Sequence, residues 1–252
     1  MRPQRPLCIA HRGASGERLE NTLDAYALAV AQQADMIEID LHLTADGAVV
    51  VAHDEHLPGL PGDGAIGSSG LDDVRQIDLG GGARVPTLDE VLDGFAPRIP
   101  FNLEIKVGPD GAYAGLESRV LAALEARGLS ESMLFSSFDD GVLLRLREAW
   151  PEARLGVLVS GHAPRGWSQR CETVGAEAVH LWRGLAGHGT IQEAHAAGWA
   201  VYVYTVDDPA EMRRLLRAGV DGLFTNYPSR LKSLLDAEFR GRSPVGIFAP
   251  PV

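Results

Sequence analysis

Residues 7–54, LCIAHRGASGERLENTLDAYALAVAQQADMIEIDLHLTADGAVVVAHD, contain short apolar runs that end in polar, chemically reactive side chains. The runs and their reactive residues are Leu7–Ala10 before His11 and Arg12, Met36–Leu41 around Glu38 and Asp40, and Val49–Ala52 before His53 and Asp54. Side chains two residues apart on a strand point to the same side, so this spacing places Glu38 and Asp40 together. Two buried carboxylates repel each other and are costly to desolvate, so the stretch predicts a cation between them.

The rest of the chain alternates strand-like runs with helix-length segments in nearly unbroken order. The predicted strands are Leu7–Ala10, Met36–Asp40, Phe101–Lys106, Met133–Ser136, Arg154–Val159, Ala178–Leu181, Ala200–Thr205 and Gly222–Thr225. The predicted helices are Thr22–Gln33, Leu88–Phe95, Tyr113–Arg127, Asp139–Trp150, Arg165–Val174, Thr190–Ala197, Pro209–Ala218 and Pro228–Arg240. Eight strand–helix units in 252 residues predict an α/β fold, a (β/α)₈ TIM barrel, with a doubly wound open sheet as the competing topology.

One segment does not follow the alternation. The apolar run Val49–Ala52 and the Gly-rich segment His56–Arg84 both precede the second predicted helix. Because the alternation resumes in phase afterwards, we interpret residues 54–86, within a few positions, as a small insertion after the second strand. The chain is therefore predicted to form a single barrel domain over residues 1–252.

Polar residues accumulate where the predicted strands end. In strand order they are His11 and Arg12, Glu38 and Asp40, Glu104 and Lys106, Ser136 and Ser137, His180, Tyr204 and Thr205, and Asn226. The carboxyl ends of parallel barrel strands share one rim, and catalytic side chains of such barrels lie there. We therefore expect these residues to surround one site.

The residue types at this rim favour phosphoryl transfer. The carboxylates of Glu38, Asp40 and Glu104 are ligands that suit a hard divalent cation, Mg²⁺ or Ca²⁺. Two histidines that titrate near neutrality, His11 and His53, suit a general base and a general acid. The side chains of Arg12 and Lys106 supply positive charge for an anion such as phosphate, although they can instead form salt bridges with the carboxylates, without a metal.

Five motifs make the chain similar to the glycerophosphodiester phosphodiesterase family, in its soluble bacterial form. They are HRGASGERLENT, IEIDLHLTADGAVVVAHD, PTLDEVL, FNLEIK and GVDGLFTNYP, and the likeness extends from Leu7 to about Leu231. The resemblance implies a (β/α)₈ barrel with a small insertion after the second strand. It also implies metal ligation by Glu38, Asp40 and Glu104, acid/base catalysis by His11 and His53, and phosphate binding by Arg12 and Lys106.

The activity implied by the resemblance is metal-dependent hydrolysis of glycerophosphodiesters to sn-glycerol 3-phosphate and an alcohol. In that family the neighbouring glycerol hydroxyl attacks phosphorus, and the resulting cyclic phosphate is opened by water. The sequence leaves open which histidine acts as base first, which cation binds, and which alcohol leaves. A phospholipase D-like enzyme acting on lysophospholipid headgroups is an alternative, and a non-catalytic phosphate- or metal-binding barrel is a more distant one.

The chain departs from the family pattern at three positions. Leu19 stands where Pro is usual, Tyr204 where Trp is common, and Asn226 where Asp is frequent. The change at Leu19 bears on the geometry of its loop. We expect the changes at Tyr204 and Asn226 not to touch the acid/base or metal residues and to bear instead on details of the substrate.

Several residues have competing interpretations. Glu20, Ser136, His180 and Tyr204 are candidates for the substrate pocket, and His180 depends on the register of its strand. Asn21 is interpreted as the N-cap of the first helix. The remaining histidines are expected on the surface or in loops, namely His42, His56, His162, His188 and His195.

The composition limits the partners. A formal net charge of -11 opposes binding to nucleic acid or to an anionic membrane, so we expect a small-molecule substrate and no nucleic-acid partner. The apolar runs are far shorter than the ~18 residues that a membrane helix needs, which predicts no membrane insertion and a cytoplasmic location. The two cysteines, Cys8 and Cys171, are predicted to be free, and the sequence does not constrain the oligomeric state.

Overall fold

The computed structural model describes residues 4–108, 111–129 and 133–245, so both ends of the predicted domain lie outside the described residues. The main sheet consists of β1 Leu7–His11, β2 Met36–Leu43, β3 Val49–Val51, β4 Phe101–Ile105, β5 Met133–Ser137, β6 Leu155–Val159, β7 Ala178–Trp182, β8 Ala200–Tyr204 and β9 Gly222–Thr225. Eight of these strands are parallel, and β1 pairs with both β2 and β9, which closes the barrel. The predicted (β/α)₈ barrel is therefore confirmed, and an open sheet is excluded.

Helices follow the barrel strands and cover the outside of the sheet. They are α1 Leu23–Ala31, α2 Leu71–Gln76, α3 Leu88–Phe95, α4 Leu116–Glu125, α5 Asp140–Ala149, α6 Trp167–Val174, α7 His188–Ala196, α8 Pro209–Ala218 and α9 Pro228–Glu238. Short 3₁₀ turns lie at Ile66–Ser68 and Arg183–Leu185, and two-residue strand pairs join Gln4–Arg5 to Ser243–Pro244 and Val107–Gly108 to Gly111–Ala112. Only α2 and the short elements were not predicted, because six residues give too little periodicity to recognise.

The strands divide their side chains between two cores. Outward-facing residues such as Ile37, Ile39 and Leu41 are fully buried under the helices. Inward-facing residues near the amino ends, including Leu7, Ile9 and Met36, fill the lower part of the barrel. The fold places a polar layer at the carboxyl ends above this apolar plug, and His180 is a polar residue that lies among the plug's aromatic rings.

The insertion forms a small unit of its own beside the barrel. Strand β3 runs antiparallel to the end of β2, and Val50 anchors a separate apolar cluster with Ile66, Val74 and Val85. Helix α2 begins where both carboxylate oxygens of Asp46 accept the Leu71 backbone N–H at 3.1–3.2 Å. The insertion is thus attached to the barrel through the pairing of β3 with β2 and through the hydrogen bond between Asp46 and the start of α2.

Helix α1 begins one residue later than the sequence suggested. The Thr22 hydroxyl accepts the Ala25 backbone N–H, which makes Thr22 the N-cap, so the interpretation of Asn21 as the cap was wrong. Asn21 instead adopts a left-handed backbone with φ of 52° and turns its side chain into the site described below.

Both cysteines are free and buried, as predicted. Among the described residues, we find no helix that combines the length and the apolar character needed to cross a membrane.

Candidate active site

A cavity of about 360 Å³ opens at the carboxyl ends of the barrel strands. Its lining falls into two sides with different chemistry. The polar side consists of His11, Arg12, Glu38, His53, Asn102, Glu104, Lys106 and Ser136. The aromatic side consists of Phe138, Leu158, Trp182, Tyr204 and Phe224, with Arg183 and Thr205 at its edge.

Three carboxylates form a compact acidic cluster on β2 and β4. Oxygens of Glu38, Asp40 and Glu104 all lie within 4.8 Å of one another, and the three residues are at most 9% exposed. The barrel register accounts for this, since Asp40 lies directly beside Glu104 on the neighbouring strand. Burial, together with repulsion by Asp40 and Glu104, raises the pKa of Glu38 well above its ordinary value.

The cluster has the donor set that a hard cation requires. All three side chains offer carboxyl oxygens, and the Oε1 atom of Glu38 is buried with no hydrogen-bond partner. A buried carboxylate oxygen without a donor is costly, and a metal ion would satisfy it. The residues present therefore fit a site for Mg²⁺ or Ca²⁺.

Two basic side chains lie directly on the cluster. The Lys106 Nζ atom is 2.8 Å from Asp40 Oδ1 and 2.6 Å from Glu104 Oε1, and Arg12 Nε is 3.3 Å from Asp40 Oδ2. Burial opposes ionisation of Asp40, but Lys106 and Arg12 outweigh it and lower the Asp40 pKa to about 2. The salt bridges that the sequence analysis gave as an alternative are present. They hold the Arg12 and Lys106 side chains beside the carboxylates.

Asn21 is a site residue that the sequence analysis missed. Its Nδ2 donates to Asp40 Oδ2 at 2.9 Å, and its Oδ1 accepts the Tyr26 hydroxyl at 3.0 Å. Because the tyrosine proton must go to the amide oxygen, the Asn21 N–H is directed at the carboxylate. Its sequence signal was weak, since Asn before Thr at a helix start suggests a cap.

His11 is oriented by a chain of hydrogen bonds from the last two strands. The Asn226 backbone N–H and Nδ2 donate to the two carboxylate oxygens of Asp207, each at 2.8 Å. The amide oxygen of Asn226 is therefore directed at His11 Nδ1, 2.8 Å away, and must accept the Nδ1 proton. That tautomer leaves Nε2 with a free lone pair.

Asn226 thus contacts the acid/base set directly, and the expectation that its departure from the family pattern would not do so was wrong. Burial and the neighbouring Arg12 charge lower the pKa of His11 to about 4. The imidazole is consequently neutral at pH 7 and able to accept a proton through Nε2.

His53 lies at the mouth of the cavity and is held from two directions. Its Nδ1 atom donates to Asp54 Oδ1 at 2.8 Å, which leaves Nε2 open. Its backbone oxygen accepts the Nε2 proton of His42 at 3.3 Å, and His42 Nδ1 in turn accepts the Tyr113 hydroxyl at 2.8 Å. His42 is only 1% exposed, so its predicted surface position was wrong.

The four candidate pocket residues have different positions. Ser136 and Tyr204 line the cavity, and the Ser136 hydroxyl accepts the Asn102 amide at 2.9 Å. Glu20 is half exposed and pairs with Arg12 at 3.0 Å outside the cavity lining. The structure does not bring His180 to the cavity, because its ring is fully buried against Tyr202 and Phe224 inside the barrel.

A closed barrel with acidic, basic and imidazole groups at the carboxyl rim defines a (β/α)₈-barrel enzyme. Comparisons with known proteins identify its family. Residues 11–230 match the model of the Glycerophosphoryl diester phosphodiesterase family. The chain belongs to this family, as its motifs predicted.

Relatives and solved structures agree with that assignment. The chain is 31% identical to a glycerophosphodiester phosphodiesterase of Bacillus subtilis, over 90% of this chain and 85% of the relative. It matches the crystal structure of a phosphodiesterase from Silicibacter pomeroyi, named as a putative member of the family, with a TM-score of 0.87, 26% identity and 96% coverage of each chain. A phosphodiesterase of Oleispira antarctica, solved with the product sn-glycerol-3-phosphate, matches with a TM-score of 0.79 and 32% identity, over 93% of this chain and 97% of that one.

Proposed function

We propose that the protein hydrolyses glycerophosphodiesters to sn-glycerol 3-phosphate and an alcohol, with a divalent cation and two histidines. Family membership supports the reaction class, and the Oleispira relative binds the same product. The observation that carries the proposal is the orientation of His11, which leaves Nε2 free and which lines the same cavity as Glu38 and Glu104 of the acidic cluster. Residues 1–252 act in this proposal as one catalytic domain, with residues 54–86 as its insertion.

Glu38, Asp40 and Glu104 would hold the cation. A bound Mg²⁺ or Ca²⁺ would supply Lewis acidity and neutralise negative charge that develops in the cavity. Arg12 and Lys106 then serve the phosphate as fixed positive charges, since both line the cavity beside the acidic cluster. Arg12 is further fixed by its backbone N–H, which donates to Glu38 Oε2 at 2.9 Å.

His11 acts as the base in the first step. Its neutral Nε2 accepts the proton of the glycerol hydroxyl adjacent to the ester, while that oxygen attacks phosphorus. His53 gives a proton to the departing alcohol oxygen, and Asp54, which accepts the Nδ1 proton, fixes the orientation of the His53 ring for this transfer. A cyclic glycerol phosphate and a free alcohol result.

The second step reverses the two roles. Neutral His53 accepts a proton from water as the water oxygen attacks phosphorus. His11 returns its proton to the glycerol oxygen as the cyclic P–O bond breaks. Both histidines regain their starting states, and atoms and charge balance over the cycle.

The test is an activity panel over several glycerophosphodiesters with sn-glycerol 3-phosphate as the readout. Metal-stripped protein should release none, and added Mg²⁺ or Ca²⁺ should restore release. Trapping of the cyclic phosphate by rapid quench tests the intermediate. Activity confined to lysophosphatidylcholine would favour the phospholipase D-like alternative, and metal binding without any turnover would favour a non-catalytic barrel.

A further inference from the structure

The aromatic side of the cavity has a defined geometry of its own. The rings of Phe138 and Tyr204 meet edge to face with centroids 6.1 Å apart, and Tyr204 meets Phe224 in the same way at 6.5 Å. Trp182 lies beside Tyr204 in the sheet register and lines the same space. Four aromatic residues thus form one side of the cavity lining.

Two of these rings are left open to solvent. Phe138 is 48% exposed and Trp182 is 41% exposed, although both are large and apolar. The Trp182 ring packs so closely over Gly161 and Gly184 that a Cβ atom at either position would collide with it. The backbone therefore sets the ring in place beside the cavity, where it is available to a ligand.

Polar groups on this side are mostly committed to other partners. The Tyr204 hydroxyl donates to the Val159 backbone oxygen at 2.9 Å, and Arg183 Nη1 pairs with Glu211 Oε2 at 2.8 Å. The aromatic side then offers the oxygens of the Tyr204 and Thr205 hydroxyls as its side-chain acceptors within the described lining. A primary ammonium has three N–H donors, more than these two hydroxyls provide acceptors for, so it fits this surface poorly.

A quaternary ammonium meets this surface differently. It has no N–H donors to satisfy, and its positive charge is attracted to the faces of aromatic rings. The pairing of Arg183 with Glu211 also compensates the cationic charge at the edge.

We propose that the aromatic side binds the leaving alcohol and selects one that carries a quaternary ammonium group. This inference rests on the proposed function, because it concerns the alcohol half of the same substrate. Phe138, Trp182 and Tyr204 form the specificity-determining surface. The polar side binds the glycerophosphate half, which is common to all substrates of the panel.

A binding experiment tests the surface without turnover. Choline and its uncharged isostere 3,3-dimethyl-1-butanol are titrated into metal-stripped protein and followed by ligand-observed NMR. Choline should bind about 2- to 30-fold more tightly, because the two molecules share a shape and differ in charge. Equal affinity, or tighter binding of the neutral isostere, would overturn the proposal.

A kinetic experiment tests selection among substrates that share the glycerophosphate half. We expect kcat/KM to be highest for glycerophosphocholine, by about 10-fold over glycerophosphoethanolamine and glycerophosphoglycerol. Trp182→Leu and Phe138→Leu, which retain an apolar side chain, should reduce that preference to within about threefold. Leu144→Ala, at an exposed position on the outside of α5, is the matched control and should preserve the preference.

The two proposals fail in different ways. If no glycerophosphodiester is hydrolysed, the proposed function is refuted, whereas the NMR comparison still decides the binding surface. If all three substrates are hydrolysed equally, or if Trp182→Leu slows all three by the same factor, the proposed selection is refuted and the hydrolase stands. Circular dichroism of each variant separates loss of selectivity from loss of fold.

Discussion

The two sides of the cavity hold their side chains by different means. On the polar side nearly every reactive group has a partner that fixes it, such as Asn226 on His11, Asn21 on Asp40 and Lys106 between two carboxylates. On the aromatic side the rings are held mainly by packing, apart from the Tyr204 hydrogen bond, and Phe138 and Trp182 remain about half exposed. The first arrangement fixes charge and protonation before substrate arrives, and the second offers contact area.

This difference indicates a division of labour. Preorganised charges and oriented imidazoles accelerate the chemical step, because no reorganisation is needed when charge develops. Apolar contact with the alcohol part of the substrate discriminates between one alcohol and another, and it does not touch the bonds that react. Changes on the polar side should therefore reduce turnover for every substrate, and changes on the aromatic side should not.

The largest effect is expected at the acidic cluster. Asp40→Asn should reduce turnover at least about 10³-fold on every substrate, since a metal contributes several kcal/mol and Arg12 and Lys106 also lose their shared partner. Steady-state release of sn-glycerol 3-phosphate and calorimetric metal titration measure the two losses. Glu125→Gln on an exposed face of α4 is the control. Unchanged metal affinity in Asp40→Asn would contradict its role as a ligand.

Removal of either histidine should have the next largest effect. His11→Ala and His53→Ala should each lower kcat about 10²- to 10⁴-fold while metal binding persists. A substrate with a good leaving group, such as a nitrophenyl ester, should rescue His53→Ala and not His11→Ala. His162→Ala, at an exposed loop position, is the control. Rescue of His11→Ala instead would reverse the assigned roles.

The partners that orient His11 should matter less than His11 itself. Asn226→Leu removes the acceptor for the Nδ1 proton, so kcat should fall about 10- to 100-fold. Asp207→Asn should cost less, because the Asn226 amide oxygen can still reach His11. NMR of the imidazole nitrogens reports the tautomer directly. A larger loss of kcat in Asp207→Asn than in Asn226→Leu would refute the proposed sequence of hydrogen bonds from Asp207 through Asn226 to His11.

The smallest effect is expected on the aromatic side. Tyr204→Phe keeps the ring and loses the hydrogen bond to the Val159 oxygen, so the free energy of unfolding should fall by about 1 kcal/mol. Turnover of glycerophosphoglycerol should change less than about threefold. Denaturant unfolding and steady-state kinetics measure the two quantities. A loss of turnover as large as that of His11→Ala would remove the distinction between the two sides.

The sequence predicted the barrel because its signals are local and repeated. Each strand is a short apolar run, and predicted and observed bounds differ by at most three residues, as at β2, which continues to Leu43. The candidate site residues could be predicted for the same reason. They follow the predicted strands, and a barrel brings the carboxyl ends of all its strands to one rim.

The residues that the sequence did not reveal act through contacts that bridge distant positions. Asn226 lies 215 residues from His11, and Tyr113 lies 71 residues from His42. His42 lies two residues after Asp40 on β2, on the same face of the strand, and was assigned to the surface or to loops because nothing local indicates the cover supplied by Tyr113. For His180 the error was the opposite, since a residue proposed for the pocket is buried below it. Its position in the strand did not show how deep in the barrel its side chain lies.

The bond between His11 and Asn226 also has a consequence for biosynthesis. A ribosome releases the acidic cluster, both histidines and Lys106 within the first half of the chain, but Asn226, which sets the His11 tautomer, directly follows the last barrel strand. A nascent chain therefore carries the reactive groups long before it can orient His11. That orientation is complete only when β9 has paired with β1 and the barrel is closed.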